Sequence, residues 1–409
     1  MPWYIYLALK QLFPTGKRLP FFTVVSACGV MLGVMLLIIV QSVMNGFGEE
    51  IRGNIIDTAG HIRVESGEVM YNHNELMERL EAFPGISGVS PFAEGVVMAQ
   101  AGNRPALPAI RGIDVMREEK VIPIEKHLFS GSIDDLYDDS ILLSSGLAST
   151  LGVYVGSVIE VYSPLILERI KQDEILLPRE LEVVGIFETG WNQIDSNTMV
   201  GTLRLMQDLY SLDRGIHGLT IRLHDGYDSD EVAALLNQEL SGPERAISWL
   251  DSNRDFLWIL SLEKNILFFL LLFIILVAAF AITSSLLITV VRKTREIGLL
   301  GALGGQPRQI ASCFCFQGLV IGVMGTLLGV ISALIILYFR NDIVYQFARL
   351  TQSEAALQRY YEFAYIPLHY SGQDFVVIIS CSLIISTLAG LIPAWRAASL
   401  KPTEAFRNE

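Results

Sequence analysis

The stretch ILFFLLLFIILVAAFAITSSLLITVV, residues 266–291, contains no charged side chain. A helix crosses a bilayer core of about 30 Å with roughly 20 apolar residues, so this stretch reads as a membrane span. Residues 20–44, 314–339 and 375–394 have the same character, giving four expected spans. The composition agrees. At 51% hydrophobic, 18% charged and mean hydropathy +0.44, the 409-residue chain is too apolar for an ordinary soluble enzyme. The first window exceeds the roughly 7–15-residue apolar region of a signal peptide, and Ser42-Val43-Met44-Asn45 offers no A-x-A-like cleavage site, so it reads as a retained anchor. Before it, Trp3 to Leu7 with Leu9, Leu12 and Phe13 reads either as an interfacial amphipathic segment or as an extension of the span.

Charge orients the spans. Lys10, Lys17 and Arg18, then Arg292, Lys293, Arg295 and Arg308, then Arg396, Lys401 and Arg407 fall in three segments that share one side. Those segments carry a net +7 in a chain of net −13, which leaves −20 for the opposite side. The positive-inside rule places both termini in the cytoplasm and the large domain between the first two spans outside. The expected division is residues 1–44 as interfacial segment and first span, 45–265 as exported domain, and 266–409 as three spans with a cytoplasmic loop and tail.

Within the exported domain, HIRVE, ELMERLEAF and ISGVSPF read as strand, helix and strand, and GLTIRL, DSDEVAALLNQEL and RAISWL repeat that order. The two units, 60–92 and 217–250, lie at opposite ends of the domain and can form one α+β body. Residues 93–216 then form a β-rich insert, with strands in SVIEVYS, ELEVVGIFETG and TMVGTLRL and a helix in SSGLASTLG.

Chemistry of its own is not expected from this chain. It has no G-x-S-x-G, no H-E-x-x-H and no G-x-x-x-x-G-K-[ST] phosphate loop. GALGGQP lacks the lysine that would meet a phosphate, and Asp134-Asp135 and Asp138-Asp139 read as solvated turns. Histidines 61, 73, 127, 217, 224 and 369 are scattered singly, and Cys28, Cys313, Cys315 and Cys381 fall in or beside spans, so neither a metal site nor a disulfide is expected. No cofactor is expected on the chain itself, and no nucleic-acid partner for so acidic a protein. The span interiors lack ionisable residues, unlike the pathway of an ion-coupled transporter. The driving energy is therefore expected from another chain.

Two patterns suggest close contacts instead. Ser26, Gly29 and Gly33 form one small-residue stripe, and Gly318, Gly322, Gly325 and Gly329 a second. Between the second and third spans, TREIGLLGALGGQ sets Ile297, Leu299, Leu300 and Leu303 on one helix face and Gly298, Gly301, Ala302 and Gly305 on the other. The bulky face is expected on the body of the protein and the bare face open to a second protein, with Gly304-Gly305 and Pro307 ending the helix.

These residues resemble permeases of the FtsX/MacB type, the membrane subunits of certain ABC transporters, and more closely the LolC/LolE permeases of the lipoprotein-releasing system. The resemblance rests on Ser42 to Phe47, Glu263-Lys264-Asn265, Ala279-Phe280, Thr283 to Leu286, Glu296 to Gly304, Gln317-Gly318, and the tail Pro393 to Ala398 with Pro402, Glu404, Ala405 and Arg407. It implies a four-helix membrane protein with a large α+β extracytoplasmic domain of Porter-like (60–92 and 217–250) and Sabre-like (93–216) lobes. It also implies a second permease subunit, either a second copy or a paralogue, and two copies of a separate ABC ATPase that binds ATP and Mg. A triacylated lipoprotein would leave the inner membrane and its lipids for a periplasmic chaperone. Thr294, Arg295, Glu296, Ile297, Gly298, Leu300, Gly301, Leu303, Gly304 and Gly305, within 294–305, match the family's coupling helix.

Two further sites are expected. Met44 and Phe47 leave the first span as Ile266, Phe268 and Phe269 enter the second, an apolar and aromatic surface suited to acyl chains. A chaperone-catching hook corresponds to 163–181. There Leu165, Ile166 and Leu167 open an apolar cluster, Arg169 and Lys171 fall in the charged tip, and Ile175, Leu176, Leu177 and Pro178 close the segment. A mechanotransmission permease of the MacB/FtsX kind, or a membrane-anchored receptor, are the alternative functions.

Overall fold

A computed structural model of the chain describes residues 2–13, 21–163, 177–240, 242–350 and 366–400. The described residues fall into two compact units: a membrane unit from the segments before Glu49 and after Trp258, and a mixed-sheet unit, Glu49–Trp258.

In the membrane unit, Phe21–Ala59, Arg254–Arg292, Pro307–Tyr338 and Gly372–Ala398 are long and apolar enough to cross a membrane, and Phe21–Ala59 and Arg254–Arg292 also supply residues to the second unit. Glycines set their spacing. An added Cβ at Gly33 would stand 2.9 Å from Ile275, and one at Gly29 would stand 3.3 Å from the Ala278 Cβ, so the first span lies directly on the second. The third span divides its stripe between two neighbours. Gly318 and Gly322 face Ser386 of the fourth span, while Gly325 and Gly329 face Val30 and Val34 of the first. Such contact gains dispersion energy where lipid supplies no hydrophobic drive. Hydroxyls add cross-links: Thr326 and Ser382 share a hydrogen bond of 2.9 Å, and Thr283 donates to the Ala389 carbonyl at 2.8 Å. The N-terminal segment forms a separate helix, Trp3–Leu12, whose Gln11 accepts a hydrogen bond from the buried Gln317 amide at 2.8 Å.

Among its described residues the mixed-sheet unit has twelve strands: β1 (Ile62–Met70), β2 (Ile86–Val96), β3 (Met98–Ala101), β4 (Arg104–Ala106), β5 (Ala109–Ile113), β6 (Leu128–Gly131), β7 (Ser140–Ser144), β8 (Val158–Tyr162), β9 (Arg179–Phe187), β10 (Thr198–Thr202), β11 (Ile216–Leu223) and β12 (Arg245–Ser248). Their order is β12-β1-β11-β2-β5-β10-β7-β9-β8-β3-β4, with β6 beside β9. The two β-α-β units interlock: β11 lies between β1 and β2, and β1 lies between β11 and β12, every pairing antiparallel. Neither unit could complete its sheet without the other. Helices His73–Glu81 and Ser229–Glu239 contribute Met77, Leu80, Val232 and Leu236 to a core shared with Ile62, Val64 and Ile221.

Beyond β5 the sheet becomes mixed, with β5–β10 and β7–β9 parallel. Its strands alternate, as period-two geometry requires. Ile141 and Leu143 join one core beneath helices Ser145–Leu151 and Leu203–Tyr210, and Leu142 joins another with Ile122, Phe187 and Val200. The stretch TMVGTLRL is strand only to Thr202. There the Thr202 hydroxyl accepts the Leu205 N–H at 3.1 Å and starts the helix Leu203–Tyr210, a cap that overrides the alternating pattern.

Candidate functional site

The helix Thr294–Ala302 follows the second span after a break at Lys293, whose ammonium pairs with Glu296 at 2.9 Å. Its end is closed in a Schellman arrangement. Gly304 takes φ +93°, the Gly305 N–H donates to the Leu300 carbonyl at 2.9 Å, and the Gly304 N–H donates to Gly301 at 3.1 Å. A Cβ at Gly305 would stand 2.8 Å from that same Leu300 oxygen. Gln306 and Gln309 then form a capping box that opens the third span at Pro307.

This helix meets the sequence expectation at Ile297 and departs from it at Leu299 and Leu303. Ile297 is 4% exposed, packed with Val290, Ile310, Phe314, Ala394 and Ala397, and Gly298 beside it is buried. Leu299 and Leu303 are 52% and 78% exposed. The body side is therefore the strip that carries Ile297 and Gly298, and Ala302 is exposed. The leucines face outward. Leu300 and Gly301 are half-buried between the two faces, and Thr294 donates its hydroxyl back to Val291 at 2.8 Å.

At the other end of the spans, one carboxylate joins three helices. Asp374, in the first turn of the fourth, accepts from the Asn45 amide at 2.7 Å and the Lys264 ammonium at 3.2 Å. Ser371 caps that turn through the Asp374 N–H. The His369 N–H donates to the Ser42 carbonyl at 3.1 Å, and a Cβ at Gly46 would strike the backbone of Pro367 and Leu368. The stretch Ser42 to Phe47 is thus shaped by a chain laid against it. Asp374 was absent from the sequence expectations, although Ser371-Gly372-Gln373-Asp374 before an apolar run carries a capping pattern.

The expected acyl-chain residues separate into two environments. Phe268 packs on the core of the spans together with Val43, and its ring meets Phe269 edge-on at 5.8 Å. Ile266 and Phe269 are exposed, and with Leu270, Phe273, Val277 and Phe280 they form one continuous uncovered face of the second span. Met44 and Phe47 are half-buried. Of the expected hook, Leu165, Ile166, Leu167, Arg169, Lys171, Ile175 and Leu176 lie outside the described residues; Leu177 is 83% exposed and Pro178 half-buried. No group of three or more metal-ligating side chains occurs among the described residues.

Glycine-packed spans and a mixed-sheet domain inserted after the first of them describe a membrane protein with one large domain outside its spans, and the family matches give its class as a permease. Residues 23–239 match the MacB-like periplasmic core domain, and residues 268–402 the FtsX-like permease C-terminal. The chain is 33% identical to a lipoprotein-releasing system transmembrane protein LolC from Xylella fastidiosa, over 95% of this chain and 94% of that one. It is 24% identical to LolE of the same system from Haemophilus influenzae, over 94% and 93%. The periplasmic region of MacB from Actinobacillus actinomycetemcomitans is similar at 13% identity, covering 49% of this chain and 95% of that one, with a TM-score of 0.34. The chain belongs to the LolC/LolE family of lipoprotein-releasing transmembrane proteins.

Proposed function

We propose that this chain is the permease subunit of an ABC transporter that releases lipoproteins from the inner membrane to a periplasmic chaperone. The observation that carries the reading is the similarity to LolC over 95% of the chain, which takes in both the sheet domain and all four long apolar helices. In this reading the termini are cytoplasmic, the sheet unit is periplasmic with Porter-like and Sabre-like lobes, and two ATPase copies supply ATP and Mg chemistry. The partner permease is a second copy or a paralogue. Leu299 and Leu303 seat on the ATPase, Ile266 and Phe269 meet the acyl chains, and the segment around Leu177 catches the chaperone. An outward pair of leucines supports the first of these roles, since exposed apolar surface marks a partner site.

Reconstitution with the ATPase tests the reading. Replacing Leu299 and Leu303 together by Asp is expected to lower ATP-driven lipoprotein release by about tenfold or more, as loss of an interface anchor does, with the spans still folded. Release at the unmodified rate by that variant would remove the ATPase-seating role. Absence of any ATP-dependent release from the intact complex would remove the function.

A further inference from the structure

The mixed-sheet unit holds a cavity of about 460 Å³, inside the range of roughly 300–1,000 Å³ that small-molecule sites occupy. Val96, Ile122, Ile124, Phe187, Ile194 and Val200 supply apolar walls, and all of these but Val96 belong to one core cluster beside the cavity. Val96 and Ala109, both exposed, stand on its rim.

The polar groups of the lining are unevenly satisfied. Arg111 reaches Glu118 at 3.2 Å and the Thr220 hydroxyl at 2.9 Å, both through Nη2, and its buried Nε–H has no partner. His127 Nε2 is also buried without a partner. The acceptors, by contrast, are engaged. Asp57 is held by Arg222 at 3.0 Å, Glu94 by Arg63 at 2.6 Å, and the fully buried Glu118 by Arg111 and the Ser90 hydroxyl. Burial pushes the Glu118 carboxyl above its usual range, and the Arg111 guanidinium opposes that shift. A buried donor without an acceptor is a defect in a closed core and an anchor in a binding site.

We propose that this cavity binds a fatty-acyl group, its carbonyl or carboxylate oxygen accepting from the Arg111 guanidinium and its chain lying along the aliphatic walls. A peptide fits worse. It would bring backbone N–H donors to a lining whose carboxylates are already engaged, whereas an acyl ester or carboxylate brings acceptors alone. The assignment rests on the cavity itself, and it gives an acyl group a shelter outside the spans whichever lipid carries it.

The test uses the full chain with its ATPase in detergent-free nanodiscs of phosphatidylethanolamine and phosphatidylglycerol. Three probes carry a diazirine at the chain end: palmitic acid, a diacyl phosphatidylethanolamine and a synthetic triacylated lipopeptide. At least one is expected to give adducts within residues 118–127 or 187–200, and the one that does identifies the source of the acyl group. Val96→Trp and Ala109→Trp place bulk at the exposed rim, and each is expected to reduce those adducts about tenfold while the unfolding midpoint and any adducts in the spans stay unchanged. No adduct in either segment from any probe, or adducts undiminished in both folded rim variants, overturns the proposal. ATP-driven release that proceeds without cavity adducts overturns it too and leaves the release function standing.

Discussion

In the membrane unit, helices meet where side chains are missing; in the sheet unit, layers meet where side chains interlock. Gly325 stands where any added carbon would lie 2.7 Å from Val30, whereas Leu143 is fully buried among Ile141, Leu147, Val183 and Met199. The difference follows from the solvent. Water drives aliphatic bulk into a core, but lipid is as apolar as leucine, so spans gain only by approaching closely. Adding atoms should therefore harm the first unit, and removing them the second.

The largest effect is expected from removal. Leu143→Ala should cost the sheet unit about 2–5 kcal/mol, read from its unfolding transition in the intact chain. A loss well under that range would mean the core collapses around the gap. Addition comes next. Gly325→Val should destabilise packing of the third span on the first by about 1–3 kcal/mol, measured as reduced thermal stability in nanodiscs. Gly53, whose surroundings are open, is the control: Gly53→Ala should gain about 0.5–1 kcal/mol from helix entropy alone. Equal losses at both glycines would dissolve the contrast.

The smallest expected effect is a change of slope with pH. His61 is held down to about 4, first by burial and then by Arg222 and Arg52, against 6.5 when free. The unfolded chain binds this proton more readily, so the neutral imidazole contributes fully above pH 6.5 and the contribution is lost as pH falls toward about 4. Unfolding midpoints of the intact chain should decline across that interval, and His61→Gln should flatten the decline. An unchanged slope in the variant would assign the decline to other groups.

The two regions were also legible to different degrees. The spans announce themselves through composition, and the interlocked β-α-β units through period, because both signals are local. Long-range pairing is not local. Asp374 binds partners 329 and 110 residues away, and nothing near it names Asn45 or Lys264. The helix Thr294–Ala302 misleads for another reason. An apolar face says that something covers it, not which chain does so: of the bulky face the body holds Ile297, while Leu299 and Leu303 point outward. At Thr202 a single hydroxyl turned an alternating strand pattern into a helix.

The clasp at Gly304 and Gly305 bears on how a force on this helix would reach the third span. Helix ends ordinarily fray, because their last carbonyls have no partner within the helix. Here the Leu300 carbonyl is tied to the Gly305 N–H, and the next helix begins two residues later at Pro307. A load applied at the outward Leu303 therefore meets no slack turn. In the proposed cycle that short segment behaves as a stiff crank, and a stroke on its leucines reaches the third span within the same motion that delivers it.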